Sequence, residues 1–229
     1  MRESEYKKEF KKIRKDEKKD QKNTPKKILR QIMNGAEDYS EYLAGRDFLI
    51  LYAGKTKELS FFAENYKHLC GVDTELFAKD FYKKALSRTL AISEIGFSNV
   101  HPMELAREKA KALCRMTDML TEAPLLFEEI NTKTKKYPFA LTDRKTTLLF
   151  GIDTGKNLVV PQSLRGEEKS KTKYRQAYPV DFILYKEYNE KTYSDVAYGD
   201  PEKLYGYLSE HKIFKYPVEL DKETEEMTR

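Results

Sequence analysis

The chain has no tryptophan, two cysteines and three histidines in 229 residues, and each scarcity removes a class of explanation. Cys70 and Cys114 lie in apolar contexts without CxxC spacing. Two such thiols cannot build a structural zinc site or a disulfide framework, so both read as reduced core thiols of a cytoplasmic protein. No apolar run approaches the roughly 18 residues that span a bilayer, and the chain starts on charged residues, so neither a membrane segment nor a signal peptide is expected. P-loop, GxGxxG and HExxH motifs are missing, as is any carboxylate set with two-metal spacing. The expectation is metal-free chemistry or plain binding, with no metal and no cofactor.

Charge, in contrast, is abundant. Charged residues make up 35% of the chain against 39% hydrophobic, and the net charge is +5. The excess is local: residues 1–30 hold 13 Lys and Arg against 6 Asp and Glu, a net of +7, which leaves −2 for the other 199. A basic arm of this kind suits a polyanion, and without membrane signals that polyanion is nucleic acid, RNA or possibly DNA. A solvated arm that only aids solubility fits the same residues.

Hydrophobic periodicity organises the rest. Residues 1–23 form a basic helical or flexible arm with sparse apolar positions at Tyr6, Phe10 and Ile13. Thr24-Pro25 reads as a helix start, followed by Ile28, Leu29, Ile32, Met33, Ala36, Tyr39 and Leu43 at helical spacing up to Gly45. Asn34-Gly35 inside that helix predicts a kink. Asp47–Ala53 and Glu58–Ala63 read as a hairpin joined by Gly54-Lys55-Thr56-Lys57. Helices are predicted over Thr74–Leu86, Pro102–Leu120 and Pro201–His211, and short strands at Leu125–Phe127, Thr146–Ile152, Leu158–Val160, Val180–Tyr185 and Thr192–Ala197. Ser163–Ala177 reads as a basic loop. The fold class is therefore α+β, with N-terminal helices and a small, mainly antiparallel sheet over 24–211, and a charged, frayed tail over 212–229.

One segment stands out for chemistry. Phe61–Val72 places Tyr66, Lys67 and His68 on a bend ended by Gly71, and histidine is the side chain whose ordinary pKa lies near neutrality. Metal-free RNA cleavage needs a base for the 2′-hydroxyl, an acid for the leaving 5′-oxygen and cations for the charged phosphorane. His68 suits the acid or base role, with Lys186, Arg165 or Lys67 as electrostatic partner. Lys171, Lys173, Arg175 and Lys191 suit phosphates, and exposed tyrosines such as Tyr188 suit base stacking. Spacing alone equally allows a core histidine at 68, a hairpin salt-bridge pattern at Lys186, Glu187 and Lys191, and a merely solvated loop at 165–175. His101 and His211 read as residues at helix ends.

Tyr39–Gly45, the hairpin and Phe62-x-x-Asn65-Tyr66-x-His68-Leu69-x-Gly71-Val72 resemble a phage-associated nuclease family of the barnase–EndoU–colicin–RelE type, the fourth of that grouping. Ala78-Lys79-Asp80-Phe81-Tyr82, Leu86–Ile92, Leu148-Phe150-Gly151, Val160–Arg165 and Ile183–Tyr193 continue the likeness, over roughly residues 36–200. The resemblance implies a helix-plus-small-antiparallel-sheet fold and metal-independent endoribonuclease activity, and the leading expectation is a cytoplasmic toxin or mobile-element effector that cuts RNA to leave a 2′,3′-cyclic phosphate. It sets His68, Lys186 and Tyr193 at the family's polar positions, with Tyr193 orienting or transferring a proton. It also leaves room for an antitoxin or host partner. Cys70 departs from the threonine of the family's His-Leu-Thr-Gly pattern, which predicts a lost hydroxyl contact. Two other functions fit: an inert nucleic-acid-binding protein, and a protein-interaction inhibitor of a host or defence complex.

Overall fold

The structure, a computed structural model, describes residues 24–122, 124–132, 135–166 and 176–220. The arm at 1–23 and the last nine residues lie outside them. Helix α1 spans 24–42 and buries Ile28, Ile32, Ala36 and Tyr39 along one stripe, continued by Leu43 just past its end. Burial of side chains this size contributes about 1.5–3 kcal/mol each. The helix runs through Gly35 as regular structure, and the glycine serves close packing instead of a kink. A Cβ there would stand 2.8 Å from Leu113 Cβ and 3.0 Å from Tyr66 Oη.

Strands β1 (Arg46–Tyr52) and β2 (Lys55–Phe61) form the hairpin. Its turn is tighter than predicted: only Ala53 and Gly54 connect the strands, both at positive φ (46° and 71°), as a two-residue hairpin turn requires. Helix α2 (Asn65–Cys70), α3 (Ala78–Leu86), a 3-10 turn at Ile92–Glu94, α4 (Met103–Leu113) and α5 (Asp118–Thr121) follow. The stripe predicted as one helix from 102 to 120 is thus broken into two. Strands β3 (Leu125–Asn131), β4 (Lys136–Thr142), β5 (Thr146–Asp153), β6 (Leu158–Gly166), β7 (Ala177–Pro179), β8 (Phe182–Glu187) and β9 (Asp195–Tyr198) precede α6 (Pro201–Glu210).

Two antiparallel sheets result, with strand orders β2-β1-β8-β9 and β6-β5-β4-β3-β7. The fold is α+β, as expected. One core cluster joins them: Phe48, Ile50 and Ile183 of the first sheet, Leu126, Phe139, Phe150 and Leu164 of the second, and the inner faces of α1–α4. The opposite face of the first sheet carries a second cluster, with Leu49, Leu51, Phe182 and Leu184 under Leu204 and Leu208 of α6.

Two differences from the sequence expectation have clear causes. Strand β4 was not predicted because it contains Pro138, and proline disfavours a central strand. The structure accommodates it at an unladdered point: Pro138 faces Glu129, a pair absent from the β3–β4 register, and the β4–β5 ladder begins only at Phe139. The tail is not frayed as far as Leu220. Ile213, Tyr216, Val218 and Leu220 pack on the second cluster, and Tyr193 exchanges backbone hydrogen bonds with Pro217 and Glu219.

Candidate active site

Helix α2 is short, and its position is fixed from both sides. Tyr66 Oη donates to the Ile32 carbonyl of α1 at 2.5 Å, and Asn65 Oδ1 accepts from the Phe62 amide at 2.9 Å. Tyr66 sits in an aromatic cluster with Tyr39 and Tyr82. Leu69 and Cys70 are fully buried. The Cys70 thiol, pushed well up by burial, donates to the Tyr66 carbonyl at 3.3 Å. This is the i−4 back-bond that a threonine can also make in a helix, here formed in the core and away from solvent. Gly71 ends the helix at φ +67°, and the stem of Lys109 from α4 crosses it so closely that a Cβ would collide.

That packing leaves His68 on the outer face of α2. The residue reaches solvent, yet the protein around it strips hydration, and this loss is the largest cause of a lowered imidazole pKa. The positive charges of Lys67, Lys109 and Lys135 lower it further. At neutral pH the imidazole is therefore neutral, the form that accepts a proton. Lys135 hydrogen-bonds Gln162 of β6, whose side chain lies over Gly151 and donates to the Ile152 carbonyl at 3.3 Å. At the start of α2, Lys156 Nζ stands 3.5 Å from the Phe62 ring centroid and Tyr188 meets the same ring edge-on. A neutral imidazole beside fixed cations and an aromatic edge is equipped to take a proton and stabilise an anion.

The other residues expected at the site are placed differently. Lys186 and Tyr193 are buried and belong to the second cluster's face of the first sheet, where Asp47, Leu49 and Leu51 of β1 also point. The buried α2 side chains belong to the core cluster of the opposite face, which also holds Phe48, Ile50 and Ile183, and α2 itself packs on β6, α3 and α4. Lys186 and Tyr193 thus face the second cluster while the buried α2 residues face the first, and Lys186 is not among the lysines that lower the His68 pKa. Lys186 Nζ donates to Asp47 Oδ2 at 2.8 Å and to the Glu190 carbonyl at 2.7 Å, while Ser60 donates to Asp47 Oδ1. Tyr193 donates to Glu58 Oε1 at 2.6 Å, and burial first, then this bond, holds its hydroxyl protonated.

Lys67 spends its ammonium on the Thr74 and Leu76 carbonyls (3.3 and 2.6 Å), bracing the loop after α2. Arg165 alternates with core-facing Leu164 on β6 and so leaves from the other face of that strand. Tyr188 and Lys191 are exposed beyond the end of β8. Lys171, Lys173 and Arg175 lie outside the described residues. Sequence reasoning missed a second ordered histidine: His101 Nδ1 meets Asp73 Oδ1 at 2.6 Å. No local signal marks the pair, because 28 positions separate the partners. Lys109, Lys135 and Gln162 were missed for the same reason.

The profile of the family described as PBECR4, phage-Barnase-EndoU-ColicinE5/D-RelE like nuclease4, matches residues 31–201. No curated protein and no solved structure matches the chain. Among the described residues, no helix is long and apolar enough to cross a membrane.

Proposed function

Because the chain belongs to the PBECR4 family of phage-associated barnase/EndoU/colicin/RelE-like nucleases, we propose that it is an endoribonuclease that cuts RNA without a metal ion, with His68 as its general base. The observation that carries the reading is His68 itself: solvent-reaching, held on a helix packed from both sides, and kept neutral beside three lysines. An imidazole base activates a nucleophile held beside it, and the 2′-hydroxyl of RNA supplies one next to the scissile phosphate. In this mechanism His68 removes the 2′-proton and the 2′-oxygen attacks phosphorus. The phosphorane charge is met by Lys109 and Lys135. The P–O5′ bond breaks, the 5′-oxygen takes a proton from water, and a 2′,3′-cyclic phosphate remains. Gln162 holds Lys135 in place. Phe62 and Tyr188 offer an aromatic edge to a flanking base.

Lys186 and Tyr193 hold the sheet together in this reading and stand outside the chemistry. The setting is the cytoplasm of a bacterial cell, with the protein acting as a toxin or mobile-element effector. The test is incubation with total cellular RNA in EDTA beside the His68→Ala variant. Cyclic-phosphate ends from the wild type alone are the expected result. Intact RNA with a retained gel shift would instead make the protein an inert nucleic-acid binder.

A further inference from the structure

A second basic surface lies on the far side of α4. Two clefts adjoin there and share Arg107 and Lys111. The larger, about 340 Å³, runs between α4, the β4–β5 turn and the end of β6, and adds Arg115 and Lys145; the smaller, about 210 Å³, reaches the first turns of α1 and adds Lys27 and Arg30. Among the described residues, Glu108 is the one carboxylate lining either cleft. Arg107 and Lys111 are spaced i,i+4, so their Cβ atoms are about 5–6 Å apart on one helix face, close to the step between successive phosphates. Arg115 is steadied by Asp143 at 3.1 Å and Asp118 at 3.5 Å.

This surface is not the His68 site. With 3.6 residues per turn, Lys109 projects from the side of α4 roughly opposite Arg107 and Lys111, toward Gly71 and His68. Edge strand β6 links the two regions. Gln162 stands at the His68 end and Gly166 in the larger cleft, about 13 Å apart along the strand. We propose that the groove formed by Arg30, Arg107, Lys111 and Lys145 is a phosphate track that holds the flank of a single-stranded nucleic acid whose reacting phosphate lies at His68. The proposal rests on the nuclease reading for its substrate. The groove holds that flank through backbone charge, without reading base sequence.

The experiment uses the full chain and a fluorescent 20-nucleotide 2′-O-methyl RNA, which has no free 2′-hydroxyl and so cannot be cut by this route. Binding is followed by anisotropy across a salt series for wild type, Arg107→Gln/Lys111→Gln, and a control of equal charge loss on the far side of the first sheet, Lys203→Gln/Lys215→Gln. Losing two phosphate contacts should weaken binding about tenfold at 0.15 M salt and flatten the log–log salt slope by about 1.4. The control should retain both values. Equal losses in the control and groove variants, or unchanged binding in the groove variant, overturn the track. A wild type that binds no strand also overturns it and turns the groove toward an acidic protein partner. If the wild type binds strongly but never cleaves RNA, the nuclease reading fails while the binding comparison still decides the groove.

Discussion

The two faces of the four-stranded sheet carry the same kinds of side chain to opposite ends. On one face, Lys186, Tyr193, Asp47 and Ser60 are buried, Tyr193 reaches out to the exposed Glu58, and each hydrogen bond of the set ends on another member or on a carbonyl. On the core side of the sheet, α2 carries His68 to solvent, and partial burial first, then Lys67, Lys109 and Lys135, lower its pKa. Lysine beside tyrosine and carboxylate thus makes a buried brace, and lysine beside histidine lines the solvent-reaching site proposed for the chemistry. Residue type does not decide between them; the covering elements do.

The sharpest test of this contrast removes His68. His68→Ala should lose 10²- to 10⁴-fold in cleavage rate while the Tm stays within the range of a surface substitution, about ±0.5 kcal/mol. A variant that keeps full activity breaks the comparison on its open side. Lys186→Ala should behave in the opposite way. It leaves the buried Asp47 carboxylate without its cation, a loss of about 3–5 kcal/mol that lowers the Tm by roughly 10 °C. Its folded fraction should keep wild-type specific activity in the cold. Lost activity at an unchanged Tm would return Lys186 to the chemistry.

Smaller effects sharpen the picture. The wild-type rate should fall with acid only as pH drops through the lowered pKa of His68, below its ordinary 6.5, since protonation removes the base. Lys135→Gln deletes one of the charges that lower this pKa, so the acid limb should move to higher pH, and less so in high salt. A limb that stays in place would separate Lys135 from His68. Smallest of all, Cys70→Thr preserves the back-bond to Tyr66 and should change stability by less than about 1 kcal/mol, with cleavage intact.

Much of the fold is legible in the chain because it rests on local pattern. The α1 stripe, the hairpin and the α2 end at Gly71 follow from spacing, from turn residues and from a glycine at positive φ. Alternation also places Leu184 and Lys186 on one face of β8 and Ile183 and Tyr185 on the other. The destination of that face was not legible, because the partner of Lys186 lies 139 positions away on β1. Strand β4 was hidden by Pro138, whose tolerance depends on register with two neighbours. Gly35 reads as a weak point until Leu113 and Tyr66 are seen against it. His68 itself was legible, but its surroundings were not: Lys109, Lys135 and Gln162 come from three separate elements.

The strand order of the first sheet also sets a timetable. Strand β1 is central, but its second neighbour, β8, begins at Phe182, 130 residues after β1 ends at Tyr52. At ribosomal speeds that interval lasts on the order of ten seconds. Throughout it the β1–β2 hairpin presents an unpaired edge carrying Leu49 and Leu51, the kind of edge that recruits other chains. The first sheet thus stays unfinished for most of synthesis. The sheet closes only when the C-terminal third arrives, and the interval before that is when its open edge is most exposed to aggregation.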